Sequence, residues 1–251
     1  MIRLLGLGVV ATLAMLLARD TAPTRHPALA RLPAQMLWAW ERNEDLRWLP
    51  PGVGVAYLRD SILLSGTEAR VYPRRHPLRV RADTVLIPVI HVDASWRTPP
   101  ALTQQQQSTI VEQVLRAAQN NPAHVIQLDF EVRRSQRAFL RAVVSAIRQQ
   151  LPADTALSMT ALASWCAGDN WIRGIAADEI VPMLFRMADD DITLRKQLAR
   201  QPYFSRRQCQ AAAGLATDEP LPRIDTARYY YFSPTAWTPS DWHKLQQGTF
   251  Q

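Results

Sequence analysis

The sequence predicts a single (β/α)8 barrel of the TIM type, short for its class and irregular after the second strand. Three observations predict it. Eight short apolar runs alternate with amphipathic segments, the pattern of a parallel sheet covered by helices. The stretch from Gln35 to Gln251 lies near the low end of the roughly 200 to 400 residues of a closed eightfold barrel. An open doubly wound sheet would show a similar alternation, but it would carry a glycine-rich phosphate loop, and this chain has none.

The first strand is read at 36–40, running into Glu41, with a short helix at 43–49 stopped by Pro50-Pro51-Gly52. The second is read at 53–58. No helix pattern follows it: residues 61–80 hold two apolar pieces separated by Ser65-Gly66 and closed by Pro73 and Pro77, which reads as a hairpin. The third strand is read at 85–92, before a helix capped by Thr103 that buries Ile110, Val111, Val114, Leu115 and Ala118. The fourth is read at 125–130, before a helix capped at Ser135 and buried through Ala138, Phe139, Ala142, Val143, Ala146 and Ile147. The fifth is read at 156–162, followed by a short helix at 170–175. The sixth is read at 180–185, where Pro182 fits a central strand badly and suggests a start at Met183. Asp191 opens the next helix, and strands at 214–217 and 228–232 complete the set. Thr238-Pro239-Ser-Asp241 spells a capped helix start with proline in the first helical position.

Composition bounds the function. With 47% hydrophobic and 20% charged residues, the chain holds enough apolar material for one full core. The formal charge of +7 is spread along the sequence without a run or a basic helix face, which argues against nucleic acid as a partner. Met1-Ile-Arg3 and the apolar run at 4–18 have the form of a secretory signal or an N-terminal membrane anchor, so export to the periplasm or attachment to the inner membrane is expected. A small-x-small cleavage pattern occurs at Ala28-Leu-Ala30. Residues 19–34 read as a proline-bearing linker, and the barrel domain as 35–251. In an exported chain the only two cysteines, Cys166 and Cys209, are either one disulfide or two buried thiols. The histidines at 26, 76, 91, 124 and 243 lack ligand spacing, so no metal site is expected, and the sequence assigns no cofactor.

The most informative segment is Val125-Ile-Gln-Leu-Asp-Phe-Glu131. Strand alternation sends Gln127, Asp129 and Glu131 to one face and Ile126, Leu128 and Phe130 to the other. Carboxylates two residues apart lie about 7 Å apart along a strand, close enough for one to raise the pKa of the other. Such coupling makes a general acid, and the carboxyl end of a strand leading into a helix is where barrels of this type hold their chemistry. Further residues just past predicted strands are Glu41, Asp60, Asp93, Trp165, Arg186, Asp218, Glu219 and Trp237, and His91 shares a strand face with Asp93. Acids and tryptophans together suit a saccharide, because carboxylates cleave glycosidic bonds and indoles stack on sugar faces.

The segments Ile126-Gln-Leu-Asp-Phe-Glu131, Ser158-Met-Thr-Ala-Leu-Ala-Ser-Trp-Cys166, Asp178-Glu-Ile-Val-Pro-Met-Leu-Phe-Arg-Met187 and Gly214-Leu-Ala-Thr-Asp-Glu-Pro220 together resemble the bacterial domain-of-unknown-function family 3142. That resemblance implies a glycosidase-like barrel and no established activity. More distantly, the chain is similar to the family 18 chitinases, whose fourth strand carries Asp-x-Asp-x-Glu with the glutamate as acid. Here Gln127 replaces the first carboxylate, while Asp129 and Glu131 match the last two. Those enzymes also carry Met-x-Tyr-Asp on the sixth strand, where this chain has Met183-Leu-Phe185-Arg186.

The expectation is therefore a glycoside hydrolase-like barrel acting on a polysaccharide or oligosaccharide. Glu131 would donate the proton, Asp129 would tune it, and Glu41, Asp218 or Glu219 would supply the second carboxylate as base or nucleophile. Trp165, Arg186, Asp218 and Trp237 would bind substrate. The alternative is a catalytically silent carbohydrate-binding or scaffold barrel of the cell envelope.

Overall fold

The computed structural model describes residues 26–169 and 171–248. The predicted leader at 1–18 lies outside the described residues, as do residues 19–25 of the predicted linker. Eight strands close into a barrel: β1 (Gln35–Ala39), β2 (Val53–Ser65), β3 (Leu86–Ala94), β4 (Val125–Asp129), β5 (Ala156–Leu162), β6 (Glu179–Met183), β7 (Ala212–Ala216) and β8 (Arg228–Phe232). All eight pair in parallel in chain order, and β1 closes the ring by pairing with both β8 and β2.

The helical layer is less complete. Around the barrel lie α1 (Pro27–Ala30), α2 (Gln104–Ala118), α3 (Arg137–Gln150), α4 (Ala163–Ala167), α5 (Asp191–Arg200) and α6 (Pro239–Gln247). The architecture is a TIM-like α/β barrel with few and irregular helices. Among the described residues no helix is long and apolar enough to cross a membrane. After β2 the chain returns as an antiparallel strand, Glu68–Pro73, so the excursion is the hairpin its turn residues predict. Thr103 caps α2 with a full capping box, and Thr238 caps α6 in the same way behind Pro239.

Alternation along the strands separates two apolar layers. Ile126, Leu128 and Phe130 join the layer between barrel and helices, whereas Met36, Trp38, Val89, Val181 and Tyr230 fill the barrel axis. Space on the axis is shared unevenly. A Cβ at Gly214 would stand 2.7 Å from the Trp38 ring, so glycine on β7 is what lets the Trp38 indole cross the barrel.

Four local expectations need correction. Residues 43–49 form no helix, because Glu44 and Leu46 donate their backbone N–H groups to Pro77 and Arg79, and Glu44–Asp45 pairs with Leu78–Arg79; so short a helix could not compete with that pairing. The cap of the helix after β4 is not Ser135, which lies in a 3-10 turn, Arg134–Gln136, opened by the Gln136 side chain accepting from the Arg133 N–H. The helix after β5 begins at Ala163 rather than 170, directly against the strand. Pro182 sits inside β6 after all. Its missing N–H is tolerated because β6 and β7 pair only at Met183 and Gly214, so that side of the strand has almost no ladder to lose.

The folded body also starts before Gln35. Ala28 and Leu29 are fully buried beneath the barrel, and the carbonyls of Leu29, Leu32 and Pro33 accept from the Arg228 guanidinium on β8. Residues 26–34 therefore close the barrel floor instead of linking to it.

Candidate active site

The inward positions of β4 define the site. Gln127, one turn of the pleat below, is fully buried: its Oε1 accepts from the Trp38 indole N–H at 2.7 Å, and its amide donates to Ser158 Oγ. Asp129 comes next and is 6% exposed. Its Oδ1 accepts from Thr160 Oγ1 at 2.5 Å and its Oδ2 stands 2.7 Å from His91 Nδ1. The other imidazole nitrogen lies 3.1 Å from Asp93 Oδ2. Burial alone would favour a neutral His91, but the two carboxylates outweigh it and raise the imidazole to about 10, so His91 is a cation at neutral pH. The same hydrogen bond, working against burial, lowers Asp93.

Glu131 stands just beyond the strand, on the rim. Its side chain reaches solvent, yet the concave mouth strips part of its hydration, and that desolvation raises its pKa; Asp129 beneath it adds to the shift and His91 opposes it. A carboxyl of raised pKa is better suited to donate a proton.

Two cavities meet at this residue. One, of about 190 Å³ on the barrel axis, is floored by Asp129, His91 and Thr160 and walled by Trp38, Trp40, Phe185 and Phe232. Trp40 meets His91 edge-on at 5.5 Å, and Phe185 stacks on Phe232 at 5.6 Å, so the wall is a continuous aromatic surface. The second cavity, of about 380 Å³, runs outward past Leu162, Ser164 and Asp190. Glu131, Met183, Phe185 and Arg186 line both. Among the described residues no cluster of three or more His, Cys, Asp or Glu side chains is arranged to hold a metal ion.

Of the other predicted site residues, only Arg186 reaches these cavities. Its backbone is left-handed, at φ 54°, where a non-glycine residue is strained unless its surroundings hold it. Glu219 and Asp218 hold it: Glu219 Oε1 accepts from the Arg186 backbone and guanidinium at 2.9 and 2.5 Å, and Asp218 Oδ2 lies 2.5 Å from Nη2. Arg195 takes the other oxygen of Glu219. These two acids thus shape the loop after β6 and line neither cavity.

Glu41 is likewise spent elsewhere. Burial would raise its pKa, but hydrogen bonds from the Arg75 and His76 backbone and the His76 ring lower it, and it lines neither cavity. Trp165 is 2% exposed and packs edge-on against Trp171, while Trp237 is 4% exposed and donates its indole N–H to the Trp38 carbonyl. Both are packing residues. Asp60 is buried and raised by that burial, and it too lines neither cavity. Cys166 and Cys209 form a disulfide, tying α4 to the segment before β7.

Sequence reasoning overlooked the aromatic wall and Thr160. A signal existed for part of it: Trp38 and Trp40 alternate on the first strand, and Phe185 and Phe232 fall where their strands leave the barrel. The class that fold and site define is a TIM-like α/β barrel with a narrow, aromatic-walled, acidic mouth. No protein-family model and no curated protein matches the chain.

Proposed function

We propose that the protein is a glycoside hydrolase-like barrel that cleaves an envelope or extracellular polysaccharide, with Glu131 as general acid. The observation that carries this reading is the position of Glu131, a carboxyl of raised pKa at the junction of two cavities. A glycosidic oxygen between two sugars needs its proton donor at such a junction. The axial cavity would take one ring against Trp38, Trp40 and Phe232, and the outer cavity would take the leaving sugar. Glu131 protonates the bridging oxygen as the bond to the anomeric carbon breaks, the positive charge developing on the ring faces Asp129, and a water molecule then adds to the anomeric carbon and gives its proton back to Glu131.

Asp129 is the other carboxylate lining the axial cavity, which makes it the residue that tunes Glu131 and stabilises that charge, as the likeness to family 18 chitinases also suggests. His91 is the positioning residue, since its protonated ring holds Asp129 in place. The disulfide supports an oxidising, exported location.

A second reading, a catalytically silent carbohydrate-binding barrel, is favoured by one specific observation: Glu41, Asp218 and Glu219 are all committed to other partners, so neither cavity holds a further glutamate beside Glu131. The Glu131→Gln variant separates the two. Release of reducing ends from a panel of bacterial polysaccharides should fall by about 10²–10⁴ with an unchanged melting temperature. Glycan binding without hydrolysis, equal in both proteins, would establish the binding reading instead.

A further inference from the structure

On the outside of the barrel, between the loop after β5 and the segment before β7, lies a concavity of about 440 Å³ lined by Arg173, Ser205, Arg206, Arg207 and Gln208. It shares no residue with either cavity at Glu131. Three arginines and no acidic residue line it, and the Arg206 guanidinium is turned onto the Asp169 carbonyl. Gathering like charges in one hollow raises the free energy of the folded chain, and an anion in the hollow removes that cost.

The walls are held rigidly. Arg206 Nη2 donates to the Asp169 carbonyl at 2.6 Å, and Arg137 pairs with the Asp169 carboxylate while its guanidinium lies 5.0 Å above the Trp171 ring. Arg141 donates to the carbonyls of Trp171 and Arg173, fixing the backbone that carries the Arg173 side chain. The Cys166–Cys209 disulfide ties the other wall, just past Gln208, to α4. Asp169 is occupied by Arg137, and among the described residues neither Arg173 nor Arg207 has a carboxylate partner. The backbone supports of a recognition site are thus in place, with two arginine side chains and two neutral hydrogen-bonding groups, Ser205 and Gln208, left for a ligand.

We infer that this hollow is a binding site for a phosphoryl group. Guanidinium forks match two phosphate oxygens at once, and the serine hydroxyl and glutamine amide complete a set of donors around a tetrahedral anion.

The test is equilibrium dialysis of the full chain against radiolabelled inorganic phosphate, at low salt and at 0.15 M NaCl, with glucose 6-phosphate and phosphatidylglycerol vesicles as competing sources of the same group. One saturable site is expected, persisting at 0.15 M NaCl, where attraction by diffuse surface charge is screened beyond about 8 Å. Arg173→Ala and Arg207→Ala should each weaken it about tenfold, the loss expected for one charge-assisted contact. Arg97→Ala, which removes the same charge elsewhere, should leave it unchanged, and none of the three variants should lower the melting temperature. Competition by glucose 6-phosphate supports the site and marks a soluble phosphate ester as its source; competition by vesicles supports it and marks a lipid headgroup. Absence of saturable binding, its loss at 0.15 M NaCl, or equal weakening by Arg97→Ala would overturn the proposal.

Discussion

The barrel axis carries polar clusters at its two ends, and they are built in opposite ways. At the floor, Arg228 pairs with Glu179, whose Oε2 also accepts from Ser158 and Tyr230, while the carbonyls of Leu29, Leu32 and Pro33 close the guanidinium from below. At the mouth, Asp129, His91 and Thr160 make a similar network, but it faces a cavity and Glu131 stands over it. Both clusters lift charges out of bulk water. The floor offsets that cost by surrounding each group with protein, whereas the mouth leaves one side open to a ligand. Buried charge alone therefore does not mark a cavity in this molecule, because only one of the two clusters faces one.

Replacing Arg228 by alanine should break the floor most severely. It strands Glu179 in the core, and a loss of about 3–5 kcal/mol in urea unfolding is expected. A loss below 1 kcal/mol would mean that water already reaches the floor. Between the two clusters, Gly214→Ala would drive a methyl group into the Trp38 ring and should cost about 1–3 kcal/mol by overpacking. Asp129→Asn at the mouth should cost less, about 1 kcal/mol, because the amide oxygen can still accept one hydrogen bond. Its clearer signature is the His91 titration seen by NMR, which should fall below about 10 while Asp93 still holds it up. Stability against pH sharpens the contrast further. His91 is raised in the folded state, so its contribution is complete below about pH 6.5 and is lost as pH rises through about 10. Urea midpoints measured from pH 6 to 10.5 should show that decline in the wild type and not in His91→Ala. The smallest effect belongs to Glu131→Gln. Its raised pKa makes ionisation unfavourable in the fold, so the neutral amide should change stability by less than about 0.5 kcal/mol.

Local rules carried the sequence a long way. Apolar runs located all eight strands, the hairpin followed from Ser65-Gly66, and Thr103 and Thr238 announced their helices, because each signal depends on neighbours a few residues away. Side-chain alternation along the fourth strand sent Asp129 inward and placed Glu131 beyond it, which was enough to single out the segment that lines the mouth. It failed at 43–49 and at Pro182, where the outcome was set by a partner strand distant in sequence.

The amino-acid order by itself determined which residues alternate, where helices begin and which strand carries the acids, since backbone geometry and side-chain preference act over one or two turns. Only tertiary structure decided which polar groups satisfy one another. Barrel closure brought His91 against Asp129 and Trp40 against Phe232, and it sent Asp218 and Glu219 to Arg186 and away from the cavity. The physical reason is that hydrogen bonds and ion pairs depend on distances of a few ångströms, and those between strands are fixed by the register and curvature of the whole sheet.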